Sequence, residues 1–254
     1  KSFRIHGSGS HDFYGEALEG ELLETRGLSG IVQYEPSELV ITVGAGTLLC
    51  DLEKTLAAQG QCLAFEPPVF GADRANSQAT VGGMVASGLS GPARASVGAV
   101  RDFVLGLKFI NGRGEHLTFG GQVMKNVAGY DVSRLLAGSW GTLGLITEVS
   151  LKVLPVAPAE AFLMCQMSQE KALQLLNQWG GQPLPLNASC WVKDTTAANA
   201  PEMLFIRLRG AQAAVEAAKI KMSKDVASFH SELIEQPANN AAADWRASRD
   251  QCLP

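Results

Sequence analysis

Apolar and polar residues alternate along 145–153, a pattern that predicts a β-strand with one buried face. Its apolar side is Leu145, Thr147, Val149, Leu151 and Val153, and its polar side is Glu148, Ser150 and Lys152. The continuous apolar run Leu39–Val43 predicts a fully buried strand. Two further runs, Val104–Ile110 and Glu115–Phe119, flank Asn111–Gly114 and predict a β-hairpin.

A helix is predicted directly after the buried strand. Its apolar face consists of Leu48, Leu49, Leu52 and Leu56. We expect Thr47 to cap its N-terminus and Gly60 to end it. Near the start of the chain, a short strand at 3–6 is expected to enter a Gly/Ser loop at Gly7–Ser10. A second loop is predicted at 79–88.

The pattern changes after Pro155 and Pro158. Strands are predicted near Phe162–Met167, Asn187–Val192, Met203–Arg209 and Val226–Ile234, with helices at 168–179 (capped by Ser168 and closed by Gly180) and about 212–223. This β-α-β-β-α-β order is typical of a ferredoxin-like fold. Residues Asp244–Arg246 predict a further helix that the end of the chain cuts off. The fold class is therefore α+β, with domains at 1–156 and 157–254.

Glycine is distributed unevenly between the two predicted domains. Of the 27 glycines, only Gly180, Gly181 and Gly210 follow residue 150. Because glycine permits positive φ and close approach of a ligand to the backbone, the first domain is interpreted as a binding domain. The second is interpreted as an ordinary packed domain.

Composition excludes several classes of protein. With 21 Lys and Arg against 25 Asp and Glu, and no basic stripe, nucleic acid is not an expected partner. No apolar run is long enough for a membrane span, and no secretory signal is visible. The five cysteines are widely spaced without C-x-x-C, which argues against a disulfide framework and against an iron–sulfur, zinc or other metal site. A reducing, cytoplasmic setting is the simplest expectation.

The Gly7–Ser10 loop offers consecutive amides and two hydroxyls with little bulk, the chemistry that surrounds a pyrophosphate. It does not have the spacing of a Rossmann or P-loop motif. The Thr80–Gly83 segment could add further amides to the same anion. Two unrelated tight turns would explain the same residues, and chemistry alone leaves both readings open.

Several segments together resemble the vanillyl-alcohol-oxidase/p-cresol-methylhydroxylase (PCMH) type of FAD-binding domain. They are the Gly7–Ser10 loop, Tyr34–Val43 with Gly46-Thr47, Pro67-Pro68, Ala79–Gly83 and Gly138–Glu148. The stretch Lys125–Leu135 narrows the resemblance to the FAD-binding E subunits of bacterial glycolate oxidases. The resemblance implies a PCMH-type domain over 1–156, lacking an N-terminal strand–helix unit, and a truncated ferredoxin-like cap over 157–254.

The resemblance also implies which residues hold FAD. The first two loops would hold the pyrophosphate, Gly144 and Ile146 would meet the adenine, and Pro67, Tyr130 and Asp131 would lie nearer the flavin. The implied cofactor-binding residues are Gly7, Ser8, Gly9, Ser10, His11, Pro67, Thr80, Val81, Gly82, Gly83, Ser87, Gly88, Tyr130, Asp131, Gly141, Gly144 and Ile146. Asp131 could equally be a turn or cap residue.

His11 has two readings. In some relatives a histidine at the end of an S-G-G-H loop is joined covalently to the flavin, and Ser8–His11 differs from that form by one serine. In the glycolate oxidase branch the histidine is expected to be a polar loop residue and FAD to be bound non-covalently.

The sequence supplies no evident catalytic set, and catalytic residues are left unassigned. His6 and His11 lie in or beside the loop, His116 on the hairpin, and His230 on a predicted strand. Arg207 and Arg209 share a strand face, where they would be solvated or would pair with a substrate carboxylate.

The resemblance implies an FAD-binding subunit that transfers electrons from glycolate, oxidised to glyoxylate, towards a membrane acceptor. It further implies a second FAD-containing catalytic subunit, an iron–sulfur subunit, and a cytoplasmic location peripheral to the inner membrane. One alternative is a self-sufficient FAD-dependent 2-hydroxyacid dehydrogenase. Another is a structural flavin-fold subunit without bound cofactor.

Overall fold

The structure is a computed structural model that describes residues 1–17, 19–71, 74–121, 130–193 and 200–252. Lys125–Gly129, part of the stretch that narrowed the resemblance, lie outside the described residues. The chain forms two units. Unit 1 contains residues 1–91, 98–156 and 249–252, and unit 2 contains residues 92–97 and 157–248.

The secondary structure is mixed α and β. The strands are β1 (Phe3–His6), β2 (Glu21–Glu24), β3 (Ile31–Glu35), β4 (Val40–Gly44), β5 (Gln61–Cys62), β6 (Val104–Ile110), β7 (His116–Gly120), β8 (Leu145–Lys152), β9 (Leu154–Pro155), β10 (Ala159–Gln166), β11 (Leu186–Lys193), β12 (Glu202–Gly210) and β13 (Ile234–Glu235). The helices are α1 (Leu49–Ala57), α2 (Val81–Ser87), α3 (Arg94–Val97), α4 (Val132–Leu136), α5 (Gln169–Gly180), α6 (Gln212–Ala227) and α7 (Ala238–Arg249).

Unit 1 is built on a five-stranded antiparallel sheet in the order β3-β4-β8-β6-β7. The predicted buried strand, hairpin and alternating strand correspond to β4, β6–β7 and β8. The polar side of β8 is less exposed than its alternation predicts, because the buried Ser150 hydroxyl lies 2.8 Å from the Thr42 hydroxyl and forms a hydrogen bond with it. Beside this sheet, β1 and β2 form a parallel pair, and β5 pairs with β9.

The start of α1 differs from the prediction. The capping position is Leu48, and no side chain caps the helix. The Thr47 hydroxyl instead forms two hydrogen bonds with Gly30. It accepts from the Gly30 amide at 3.0 Å and donates to the Gly30 carbonyl at 3.2 Å. The apolar face was predicted well, since Leu49, Leu52 and Leu56 are fully buried.

The 79–88 stretch is largely helix rather than loop. Thr80 caps α2 by accepting the Gly83 amide on its hydroxyl, and Gly88 ends the helix with φ +65°. The first amides of α2 donate outside the helix, Val81 to the Thr47 carbonyl at 2.9 Å and Gly82 to the Ala45 carbonyl at 2.7 Å. These bonds hold a short helix whose two glycines disfavour helix formation.

Unit 2 contains the antiparallel sheet β11-β12-β10-β13. One face packs against α5 and α6 through a core that includes Leu175, Trp179 and Ile206. The other face packs against α7 through Trp245. Two predicted boundaries were wrong. Helix α6 continues to Ala227, where a strand was expected, so that β13 has only two residues. Helix α7 begins at Ala238 rather than near Asp244.

Arg207 is buried, contrary to the expectation of a solvated side chain. It is 3% exposed, and its Nε donates to Asn187 Oδ1 at 2.8 Å. Its guanidinium carbon lies 5.0 Å from the centre of the Trp245 ring, a cation–π geometry. Arg209, on the same face, is one-third exposed and forms an ion pair with Glu160.

Because Gly82 packs directly on Ala45, we expect Gly82→Ala to destabilise the protein. An added Cβ would lie 2.8 Å from the Ala45 Cβ and 2.9 Å from its carbonyl oxygen. The expected loss is about 1–3 kcal/mol in the free energy of urea unfolding. Gly112→Ala is the control, since no atom lies within 4 Å of its Cβ position. Equal stability of the two variants would contradict this packing.

Arg207→Met is expected to cost about 1–3 kcal/mol of unfolding free energy, because it leaves Asn187 without its buried donor. Arg209→Met, which removes a partly exposed ion pair, is expected to cost less than about 1 kcal/mol. Urea titration of both variants measures the difference. Equal losses would show that burial of Arg207 does not matter to the sheet.

Candidate functional site

The loop at residues 7–12 follows β1 and turns tightly. The Asp12 amide donates to the Gly9 carbonyl at 3.0 Å, and Gly9 has φ +73°. Gly7 lies against the capping residue of α2, since its Cβ would be 2.7 Å from Thr80 Oγ1. Glycine at 7 and 9 therefore lets this loop approach α2 closely and turn back on itself.

The amides of Ser8, Gly9 and Ser10 make no hydrogen bond to any atom of the described chain. These three successive amides, on a loop of small residues, are donors of the kind that phosphate oxygens accept from. Binding of a pyrophosphate by this loop stays a prediction.

The 79–88 stretch was expected to add free amides to the site, and it does not. Its amides at Val81, Gly82 and Gly83 already donate to Thr47, Ala45 and the Thr80 hydroxyl. It therefore offers a glycine surface rather than free N–H groups. Val81 is fully buried, so its side chain faces the core.

The 138–144 stretch is fastened to the end of α2. The Gly138 amide donates to the Val85 carbonyl at 3.0 Å, and the Trp140 amide to the Ala86 carbonyl at 2.9 Å. Gly88 must be glycine here, because its Cβ would lie 2.8 Å from the Gly138 Cα. Trp140 itself has φ +52°, an uncommon conformation for a bulky residue.

Together the three glycine-bearing stretches line a cavity of about 420 Å³. The predicted residues that line it are Gly7, Ser8, Gly9, Ser10, His11, Thr80, Gly82, Gly83, Ser87, Gly141, Gly144 and Ile146. Such a concave site with backbone donors and glycine walls suits an extended phosphate-bearing ligand.

Five predicted residues do not line this cavity: Pro67, Val81, Gly88, Tyr130 and Asp131. The Pro67 carbonyl accepts from Arg74 Nη1 at 3.0 Å. Tyr130 is 92% exposed. Asp131 caps α4, accepting the Arg134 amide at 3.3 Å, which is the turn-or-cap reading of this residue.

An aromatic cluster at the cavity was not predicted. Tyr14 and Trp140 stack in parallel with ring centres 4.7 Å apart, and both line the cavity. The His11 ring meets Trp140 edge-on at 5.7 Å and Phe70 edge-on at 5.3 Å. Phe70 and Trp140 are distant in sequence from His11 and Tyr14, so only the fold reveals that these rings meet.

His11 is half-buried among these rings. Its Nδ1 lies 3.1 Å from Ser10 Oγ, and its Nε2 is buried without a hydrogen-bond partner among the described residues. Burial lowers the pKa of His11, and the nearby Asp12 carboxylate opposes that effect only in part. His11 is therefore neutral in the free protein near neutral pH.

Two of the remaining histidines lie elsewhere. His116 is on β7, with Nε2 3.2 Å from the Thr147 hydroxyl. His230 lies in the turn after α6 with φ +59°, rather than on a strand.

All five cysteines are free. Within the described residues, no three His, Cys, Asp or Glu side chains are grouped as metal ligands, and no helix is long and apolar enough to cross a membrane.

Known proteins match this chain over nearly its whole length or over part of it. Residues 1–120 match the family described as FAD binding domain. Over 250 residues the chain is 46% identical to glycolate oxidase subunit GlcE of Escherichia coli (strain K12), covering 98% of this chain and 64% of that protein. It is 32% identical over 137 residues to subunit GlcD of Bacillus subtilis (strain 168), covering 54% and 28% of the two chains.

A solved structure of alkyldihydroxyacetonephosphate synthase has the same fold. It aligns with a TM-score of 0.74 at 18% identity, covering 98% of this chain and 50% of that one. The chain thus spans less than two thirds of the length of these relatives. Residues 1–120 thus match an FAD binding domain. Over nearly its whole length the chain is a homologue of the glycolate oxidase subunit GlcE.

The lowered pKa of His11 has a measurable consequence for stability. A group whose pKa is lower in the folded than in the unfolded state stabilises the fold increasingly as pH rises, up to about the unfolded value near 6.5. The difference in unfolding free energy between the wild type and His11→Gln is therefore expected to grow from about pH 5 to about pH 7 and then level off.

His116→Gln is the matched control, because His116 is exposed and outside the cavity. Urea unfolding at a series of pH values measures all three proteins. Parallel stability curves for the wild type and His11→Gln would show that His11 is not buried in the folded state.

Proposed function

We propose that this chain is the FAD-binding subunit of a glycolate oxidase, transferring electrons from glycolate, oxidised to glyoxylate, towards a membrane acceptor. The observation that carries the proposal is the loop at 7–12, which lines a glycine-walled cavity. Its amides at Ser8, Gly9 and Ser10 have no acceptor among the described residues. The 46% identity with a protein named as a glycolate oxidase subunit supports the substrate.

The residues of the cavity fit FAD. The amides of Ser8, Gly9 and Ser10 would hold the pyrophosphate, and the glycine surface at Gly82 and Gly83 would let it approach α2. Gly144 and Ile146 would meet the adenine through backbone groups. When bound, FAD would supply a two-electron acceptor that can also pass electrons singly.

Pro67, Tyr130 and Asp131 remain proposed as residues near the flavin on the family resemblance alone. None of the three lines the described cavity. Val81 and Gly88 would shape the site from behind, through the core and through the turn at Gly138.

We propose that FAD is bound non-covalently. His11 is packed between aromatic rings and paired with Ser10, as expected of a structural loop residue. Acid denaturation of flavin-loaded protein is expected to release the yellow colour into the supernatant. Colour retained in the precipitate would instead support a bond through His11.

The second domain is proposed to be a ferredoxin-like cap. Numbering its four strands in chain order gives a sheet order 2-3-1-4, with the two helices α5 and α6 packed on one face. This arrangement supports the proposed division into an FAD-binding domain at 1–156 and a cap at 157–254.

The chain is proposed to act with a second FAD-containing catalytic subunit and an iron–sulfur subunit, on the cytoplasmic side of the inner membrane. The names of the relatives as subunits of one oxidase support the first partner. Co-purification of the full-length protein, scored for flavin and iron together, tests the assembly. Recovery of a lone chain that reduces its flavin with glycolate or D-lactate would favour the self-sufficient dehydrogenase.

FAD binding is expected to depend on the turn at Gly9. Gly9→Ala places a side chain at φ +73°, 3.0 Å from Asp12 Oδ2, and would displace the neighbouring amides. We expect FAD affinity to fall about tenfold or more, corresponding to about 1.4 kcal/mol. Quenching of flavin fluorescence on titration with the full chain measures the Kd.

Gly114→Ala is the control for backbone strain alone. Gly114 has a similar φ of +78°, lies in the β6–β7 turn, and has no atom within 4 Å of its Cβ position. It should bind FAD like the wild type. Equal affinities for all three proteins would place the cofactor elsewhere, and no flavin binding by any of them would favour the structural subunit.

A further inference from the structure

The cavity carries an unusual balance of charge for a site that would hold a pyrophosphate dianion. The described ionisable residues that line it are two carboxylates, Asp12 and Glu16, two imidazoles, His6 and His11, and the Tyr14 phenol. Neither lysine nor arginine is found among those described lining residues. Any positive side-chain charge from these residues must therefore come from an imidazole.

His6 is placed to carry that charge. It lies at the end of β1, directly beneath the loop, since a Cβ on Gly9 would be 3.1 Å from His6 Nε2. Its Nε2 is 3.9 Å from Asp12 Oδ2, and its Nδ1 is 3.7 Å from Glu24 Oε2. Nδ1 is also buried without a hydrogen-bond partner among the described atoms.

Carboxylates approach His6 from two elements, and Arg4 lies two residues before it on β1. Asp12 faces it from the loop and Glu24 from β2, while Glu16 lies on the same cavity. Arg26 is paired with Glu24 and so offsets part of that carboxylate's charge. His11, the other imidazole, is kept neutral by its burial among aromatic rings.

We propose that His6 is the cationic residue for the FAD pyrophosphate, and that it takes up a proton from solvent when the cofactor binds. The inference rests on the proposed function and deepens it. A dianion brought within a few ångströms of the imidazole adds attraction for the proton, so the bound state holds more protons than the free state. FAD affinity therefore falls as pH rises, because the proton becomes harder to acquire.

Calorimetric titration of the flavin-free full chain with FAD tests this directly. Repeating the titration at one pH in two buffers of different ionisation enthalpy counts the protons taken up. We expect an uptake between zero and one proton near neutral pH. We also expect FAD affinity to weaken about tenfold between about pH 6 and about pH 8.5, as for an opposite charge nearby.

Two probes separate the pyrophosphate from the flavin. Adenosine diphosphate ribose has the pyrophosphate diester without a flavin and should show the same proton uptake. Riboflavin has no phosphate and should show none. These two ligands test the inference on the wild-type protein, whatever the stability of any variant.

His6→Gln should abolish the uptake and lower FAD affinity at acidic pH to the value reached by the wild type at alkaline pH. His116→Gln, altered outside the cavity, should keep the wild-type uptake. Binding of FAD without uptake, or with an uptake unchanged in His6→Gln, would overturn the role of His6 and leave the cofactor site intact. Failure to bind FAD at any pH would instead overturn the proposed function.

Discussion

The first turn of α2 is the constraint on which unit 1 depends. Its amides donate to the carbonyls of Ala45 and Thr47, so the turn after β4 and the start of α2 are joined through backbone atoms. That contact is possible only because residue 82 has no side chain. Thr80, at the cap, is in turn the surface against which Gly7 packs. The loop at 7–12 is therefore positioned by a chain of close backbone contacts that begins in the sheet.

Hydrophobic pattern predicted the central sheet because its strands are buried by their own side chains. β4, β6 and β8 carry the residues that pack the core, and their periodicity is visible in sequence. The same pattern missed α2, since two of its seven residues are glycine and its stability comes from acceptors on another turn. It also misplaced the end of α6, where Val226 is buried as part of the helix rather than of a strand.

The candidate site shows the same division between local and distant signals. The sequence motifs that carry the family resemblance are local, and twelve of the residues that the resemblance implied line the cavity, from Gly7 to Ile146. The stacked pair of Tyr14 and Trp140 depends on the fold that joins the loop to the 138–144 stretch, so no spacing could indicate it. Charge balance is likewise a property of the assembled cavity, which is why His6 stood out only there.

The hydrogen bonds made by the first amides of α2 bear on how this unit reaches its folded form. Where the first amides of a helix have no acceptor in the protein, a bound ligand must supply the acceptors that complete the structure. Here the first amides of α2 donate to Thr47, Ala45 and Thr80, while the Ser8, Gly9 and Ser10 amides of the half-buried loop have no acceptor among the described residues. The backbone of this helix therefore needs no ligand to satisfy its first amides, and the fold around α2 is set by the polypeptide itself.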